Sequence, residues 1–515
     1  MKRISFRYIL LILAPACAIW TSCQNLTDGY STDPVEITDP SVIATTKFLS
    51  GAQTNLIGVY EGDINRLTGM WVGHFSGEDR QYIPLSNYAV SGRDFNTEWG
   101  GIYAGVLANT RIVKSRSQQA KSYQTLGIAQ VMEAMAVGLA ADLWGDVPYA
   151  EAIQYPVIKT PKYDTQASVY AAMQTILDSA IVNLATPVPA ALRPGKEDVF
   201  YAGDVSAWTA AAHTLKARFY LHTKDYAKAL TESQQGIADA SGTMYGTHGS
   251  TYLQTFNLFY SFTTYDRPGY MGANSLAPRL LDATAAESRD NDKTKEEARL
   301  WYYYLVGGGG NFTSIAYEPN VLVDFDWGTN PTVNGFFGAT TSFPMISYEE
   351  NLLIKAEANA KSGQADDALT ALNELRGYFQ TGANLSPGYL DTDFAKDWGL
   401  TDDNDNPITL AHQYDAYDIT DFDDGGIAGM TGKTREEALL YEILEERYVT
   451  FVGQLEAYND IRRTKNLLNV PVKTGNTVIP QRLLYPQSEL NTNLANVPTS
   501  AVGLTDPTPA NTTAY

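Results

Sequence analysis

The stretch Asp204–Ala238 reads DVSAWTAAAHTLKARFYLHTKDYAKALTESQQGIA. Trp208, Ala211, Leu215, Phe219 and Tyr220 recur there at steps of three and four, the spacing that gathers side chains on one face of a helix with 3.6 residues per turn. Asp204 or Ser206 is placed to cap the first turn, where a short side-chain oxygen accepts from amides that lack an intrahelical partner. The spacing predicts a helix through about His222 and a second over Tyr226–Ala238. Only a few residues separate them, so the two form a helical hairpin.

Working outward, the same unit returns. Upstream, Gly127–Trp144 carries Ala129, Met132, Met135, Ala136, Leu139, Ala140 and Leu143 in amphipathic spacing, and Gly145-Asp146-Val147-Pro148 stops it. Gln166–Leu184 follows with Val169, Met173, Ile176, Leu177 and Ile181, broken by Pro187 and Pro189. Downstream lie Tyr348–Ser362 and Ala365–Tyr378 with Gly363 as the stop between them, then Thr434–Val452 and Leu455–Leu468. The small and aliphatic residues of Tyr226–Leu230 and Ala365–Leu369 resemble tetratricopeptide helix pairs. The expected fold is mostly α, a tetratricopeptide-like helical-repeat scaffold with long irregular loops and minor β, residues 41–515 forming a single domain. The loops, 62–98, 242–275, 301–345 and 379–432, are where a binding site is expected, because loops of that length are usually functional.

At the N-terminus, Lys2, Arg3 and Arg7 precede an apolar run from Ile9 to Trp20, and Thr21-Ser22 follow. That is the layout of a signal peptide over residues 1–22. The apolar run falls short of the roughly 20 residues a membrane-spanning helix needs, and no later segment is expected to span either. Cys23 directly after the small pair makes it a lipoprotein signal, the thiol being the lipid-attachment point. Trp20 replaces the usual aliphatic residue three places earlier. Cys17 is the other candidate, and an ordinary secretory signal is the alternative. Residues 23–40 are polar, with Asp28, Asp33, Glu36 and Asp39, and read as a flexible tether.

The formal charge is −21. It becomes −24 on cleavage before Cys23, since three cations leave and no acid does, which makes nucleic acid and anionic lipid poor partners. Tyrosine dominates the aromatics, 33 against 18 Phe and 8 Trp. Tyrosine suits surfaces that are half apolar and half wet, and with Asn, Asp and Gln nearby it suits neutral polyhydroxylated ligands.

Four landmarks resemble the SusD/RagB family of outer-membrane nutrient-binding lipoproteins of Bacteroidetes. They are Ala141–Tyr149 (ADLWGDVPY); Asp198–Tyr201 with Gly203-Asp204, Trp208 and Leu215–Arg218; Glu445-Glu446-Arg447 through Glu456, Asp460 and Arg462-Arg463; and Ile479–Pro486 (IPQRLLYP) with Glu489 and Asn493. The resemblance implies a non-catalytic, lipid-anchored, cell-surface protein of the outer membrane. Such a protein captures an oligosaccharide or similar nutrient and delivers it to a SusC-type TonB-dependent transporter. Read locally, the landmark charges Lys216, Arg218, Glu446, Arg447, Arg462 and Arg463 are ion pairs and caps between helices, not ligand contacts.

Sugar capture needs aromatic faces for the C–H face of a ring and polar groups for its hydroxyls. Two loops offer both. One holds Trp71, His74, Arg80, Tyr82 and Tyr88; the other holds Trp301–Tyr304, Tyr317 and Trp327. The ligand-binding candidates are Trp71, Arg80, Tyr82, Tyr88, Tyr303 and Trp327, while Trp99 and Tyr103 are expected in the core. No zinc-protease or nucleophile-elbow motif is present. Gly432-Lys433-Thr434 lacks the first glycine of a phosphate loop, where Ile427 stands. Asp402–Asn406 partly matches a calcium loop, with Pro407 at the glycine position and Gln413 at the glutamate position, so a structural calcium is the only cofactor in view. Two rival functions stand beside nutrient capture: a glycoside hydrolase, which requires two converging carboxylates, and a helical scaffold that binds protein or peptide.

Overall fold

A computed structural model describes residues 43–251, 254–307, 316–321 and 333–515. The segments expected to be a signal peptide and a tether, with Cys23, and Trp327 lie outside the described residues. Asp204 caps α1 (Val205–His222), its carboxylate accepting from the amides of Ser206 at 2.8 Å and Ala207 at 3.2 Å. The second helix of the hairpin, α2 (Tyr226–Ser233), ends five residues before the expected Ala238. The next hairpin intervenes: Asn351 donates to the carbonyls of Ser233 and Ile237, and Thr214 accepts from the Ile237 amide, so tertiary partners replace the helical ones.

The remaining pairs are Tyr123–Trp144 against Gln166–Ala185, Tyr348–Lys361 against Ala365–Gln380, and Arg435–Thr450 followed by Leu455–Arg463. Thr434 and Glu437 form a capping box at the start of the last pair. Consecutive pairs pack side by side: Gln166–Ala185 on α1, α2 on Tyr348–Lys361, and that helix on Arg435–Thr450. Residues Thr45–Tyr515 form one compact unit. Sheet is confined, among the described residues, to four two-stranded antiparallel pairings.

Two expectations change. Tyr123–Trp144 is not amphipathic: every residue from Leu126 to Trp144 is buried. It is long and apolar enough to cross a membrane, yet it is a core helix wrapped by its neighbours. Residues 62–98 are not one irregular loop. Helix Asp63–Trp71 opens them and a short helix Tyr82–Ser86 follows.

The sequence landmarks lock to one another. Leu483 donates its amide to the Leu143 carbonyl, the Trp144 indole donates to the Leu484 carbonyl, and the Tyr485 hydroxyl reaches the Asp146 carbonyl, so the turn at 141–149 is zipped to the segment at 479–486. Arg462 joins both, donating to the carbonyls of Asp142 and Gln481. The buried Asp198 carboxylate accepts from Gln53, the Gly203 amide and the Trp208 indole, which fixes the approach to α1.

Charge runs through the helical stack. Arg218 is bidentate to Glu350, and His222 lies between Asp142 at 2.7 Å and Glu456 at 2.9 Å. Arg447 and Arg463 share Asp460 and Glu357, and Arg289 and Arg299 share Glu446. Burial alone would raise the Glu357 carboxyl, but the flanking guanidinium groups hold it at about 2. Such groups act as interior bolts, as their helical positions implied, though they are buried rather than surface pairs.

Candidate functional site

The candidate site is assembled by strand pairing between two of the long loops. Ser76-Gly77 pairs antiparallel with Met271-Gly272, and the amide of Glu78 donates to the Tyr270 carbonyl at 2.9 Å. Gly77 has no room for a side chain: a β-carbon there would meet the Tyr82 carbonyl oxygen at 2.0 Å. The pairing sets Tyr82 against Phe262, ring centres 4.9 Å apart and tilted 38°, with Tyr270 edge-on to Tyr82 at 6.1 Å.

Tyr82 and Phe262 border a cavity of about 480 Å³ lined also by Asp63, Arg66, Asp94, Asp266 and Arg267 among others, with Tyr270 behind Tyr82 and outside the lining. Arg66, projecting from helix Asp63–Trp71, lays its guanidinium over Phe262 at 4.6 Å and is ion-paired to Asp63. Arg80 and Arg267 both lie over Tyr270, at 5.4 and 5.8 Å. Flat aromatic surface thus alternates with guanidinium and carboxylate groups, an arrangement suited to a ring with an apolar face and a hydroxylated edge.

Next to this cavity, and sharing Asp63 and Arg66 with it, runs a groove of about 760 Å³ lined by Gly58, Gly62, Gly100, Gly101 and Gly105. Glu98 lines the groove. It is 5 % exposed, and one of its carboxylate oxygens has no partner. Burial, reinforced by Asp63 and Asp94, pushes its carboxyl up to about 7.

Of the residues nominated from sequence, Tyr82 lines the cavity and Arg80 stands exposed near it. Trp71 is fully buried, its indole donating to the Leu85 carbonyl at 2.9 Å, so it has no face to offer a ligand. Tyr88 is 6 % exposed, packs edge-on against Trp71, and accepts from the Lys473 amide. Both belong to the core because the segment that reads as loop is partly helical. His74 is buried as well, held low at about 3 by burial despite a bond to the Tyr448 carbonyl. Trp99 and Tyr103 are buried, as expected. Tyr303 is parted from Tyr82 and lines a separate hollow of about 280 Å³ with Tyr302 and Phe336.

Arg66, Phe262, Asp266, Arg267 and Tyr270 were not among the nominated residues. The aromatic run from Phe256 to Tyr270, closed by Asp266-Arg267, has the same mixture of rings and charge as the first loop, and that signal could have found them. At the tentative calcium loop, Asp402 accepts from the amides of Asn404 and Asn406, a turn closed by its own hydrogen bonds. Among the described residues no three His, Cys, Asp or Glu side chains are grouped to hold a metal ion.

Stacked helix pairs carrying an aromatic pocket on their loops define the class: a helical-repeat protein with its site grafted onto inter-repeat segments. The chain belongs to the SusD-like family described as starch-binding and associating with the outer membrane, whose profile matches residues 37–486. It is similar to a SusD/RagB family protein of Bacteroides thetaiotaomicron, with TM-score 0.63 and 21% identity over 92% of this chain and 100% of that one. It is also similar to a SusD homolog of Parabacteroides distasonis, with TM-score 0.67 and 15% identity over 92% and 99%. A third likeness is to a chitin-binding SusD homolog of Flavobacterium johnsoniae, with TM-score 0.63 and 15% identity over 90% and 99%. No curated protein matches the chain.

Proposed function

We propose that the protein is a non-catalytic, lipid-anchored surface protein that captures an oligosaccharide in the Tyr82–Phe262 cavity and passes it to a SusC-type TonB-dependent transporter in the outer membrane. The observation that carries the reading is the cavity itself, in which aromatic faces sit beside Arg66 and Arg267. A helical scaffold for a protein partner would offer a plain concave face instead. The family description and the likeness to a chitin-binding homolog support a carbohydrate as the ligand class. Asp63, the carboxylate nearest in sequence to Arg66, is tied to it as an ion pair, which argues against its use as a hydrolytic nucleophile.

The test is a glycan and peptide binding screen on protein beginning after Cys23, followed by calorimetry on each hit. A glycan bound by the parent and weakened by Tyr82→Ala supports the reading. Peptide binding without glycan binding, or turnover of a bound glycan by purified protein, overturns it. Cys23→Ala is expected to leave glycan affinity intact while abolishing membrane retention.

A further inference from the structure

The hollow around Tyr303 shares no lining residue with the Tyr82 cavity. It lies where strand Phe343–Ile346, the first turn of helix Tyr348–Lys361 and the last turn of helix Ala365–Gln380 come together with the turn at 383–387. Three of its rings form a fixed cluster. Tyr302 and Tyr303 lie 5.6 Å apart at 32°, and Phe336 stands edge-on to both, at 5.7 Å and 80° and at 4.9 Å and 84°. All three rings are buried, each less than a tenth exposed. The rings are therefore held in place before any ligand arrives. Tyr245, 36% exposed, completes the lining at the solvent side.

Against this background one side chain stands out. Asn384 lines the hollow, and its amide oxygen and nitrogen are both buried with no hydrogen-bond partner among the described residues. Buried polar groups are normally paired, and an amide with both ends unpaired is a place where a ligand or ordered water is expected. Among the described residues the lining contains no Lys, Arg, His or Asp. Glu349 is the one acidic group among its described lining residues, and burial pushes that carboxyl up from its ordinary value.

We propose that this hollow is a second binding site, which takes a single neutral sugar residue: its ring lies against the tyrosine cluster and its adjacent hydroxyls pair with the donor and acceptor of Asn384. The size suits one residue rather than a chain, since about 280 Å³ falls just below the range of drug-sized ligand sites, about 300 to 1,000 Å³. The absence of any cationic lining argues against sugar phosphates and uronic acids. The site borrows only its ligand class from the proposed function and stands apart from the first cavity.

The experiment uses saturation-transfer NMR with five neutral probes, D-glucose, D-galactose, D-mannose, D-xylose and N-acetyl-D-glucosamine, plus choline as a cationic control. The protein is the Tyr82→Ala variant, so that binding in the first cavity is weakened about tenfold. At least one neutral sugar is expected to give transfer, reduced tenfold or more by adding Asn384→Leu, with a circular-dichroism melt confirming the fold. Should Asn384→Leu fail to fold, Tyr245→Ala at the rim is expected to weaken the same sugar severalfold. No transfer from any neutral sugar overturns the proposal, as does transfer untouched by Asn384→Leu and Tyr245→Ala, or preference for choline. Because Asn384→Leu and Tyr245→Ala leave the lining of the first cavity untouched, these outcomes leave the primary function to be judged by the parent protein's oligosaccharide binding.

Discussion

Arg463 and Arg66 are both nearly buried arginines, 1% and 6% exposed, and they have opposite surroundings. Arg463 spends all three of its guanidinium nitrogens on Asp460 and Glu357, two carboxylates as buried as itself. Arg66 has one carboxylate partner, Asp63, which is 64% exposed; its contact to the Leu258 carbonyl is long at 3.3 Å, and its Nε has no partner. A guanidinium enclosed by matched carboxylates has nothing left to give and acts as structure. One stacked on Phe262 with unused donors beside a cavity is available to a ligand. Carboxylate partners, not burial, separate these two arginines.

The contrast is broken most forcefully at Glu357. Replacing it with alanine leaves Arg447 and Arg463 to share the single carboxylate of Asp460, and removing one partner from a buried ion pair typically costs about 3–5 kcal/mol. Glu357→Ala is expected to lower the thermal midpoint sharply, with glycan affinity per folded molecule unchanged. A midpoint within a degree or two of the parent would mean that the spine charges do not bear on stability.

A pH titration probes the same spine. Burial would lower the His222 imidazole, but Asp142 and Glu456 override it and hold it up at about 9. Its folded-state value thus exceeds the unfolded value near 6.5. The stability it contributes is complete below about pH 6.5 and is lost as pH rises through 9, on the order of 3 kcal/mol. Melts between pH 6 and 10 are expected to show that loss in the parent and not in His222→Gln, which starts lower.

On the pocket side the expected sizes reverse. Arg66→Met should keep most of the packing over Phe262 and leave the thermal midpoint within a few degrees, while glycan affinity falls about tenfold, the equivalent of one charged hydrogen bond. Tyr82→Ala should cost a similar factor through lost stacking surface. Calorimetry of both against the parent measures this directly. An Arg66 variant that melts far earlier but binds normally would place Arg66 with the spine.

How much of this was legible follows from the same distinction. Glu446, Arg447, Asp460 and Arg463 sit at helical spacing among apolar residues, and charge in such a place has one physical solution, a partner on the neighbouring helix. The helix stop at 145–148 was legible for a similar reason, since Gly145 takes φ +83°, which few other residues tolerate. Trp71 and Tyr88 were misplaced because an aromatic among Gly73, Gly77 and polar residues looks exposed in one dimension. Its burial is decided by Tyr458, which meets the Trp71 ring at 5.8 Å from almost 400 residues away in sequence. Arg66 and Phe262 stayed hidden because the strand pairing that joins them, Ser76-Gly77 with Met271-Gly272, is two residues long on each side and has no periodicity to read.

Glu98 gives the gentlest test, because it stands beside the pocket yet has the burial of a core residue. With its carboxyl pushed up to about 7, the folded protein holds a proton that the unfolded chain releases near 4.5. Stability is therefore expected to fall as pH rises from about 4.5 to about 7 and then to level off. As pH rises through about 7 a negative charge appears on Glu98 near Asp63 and weakens that residue's claim on Arg66 by repulsion. A ligand bonded to the guanidinium should respond by no more than about fivefold between pH 6 and 8, the scale of one partly screened charge. Glu98→Gln should make both the melting profile and the affinity flat over that range. If the parent is already flat while Arg66→Met still loses affinity, then Glu98 is a spine residue that happens to border the groove, and the pocket's electrostatics end at Asp63.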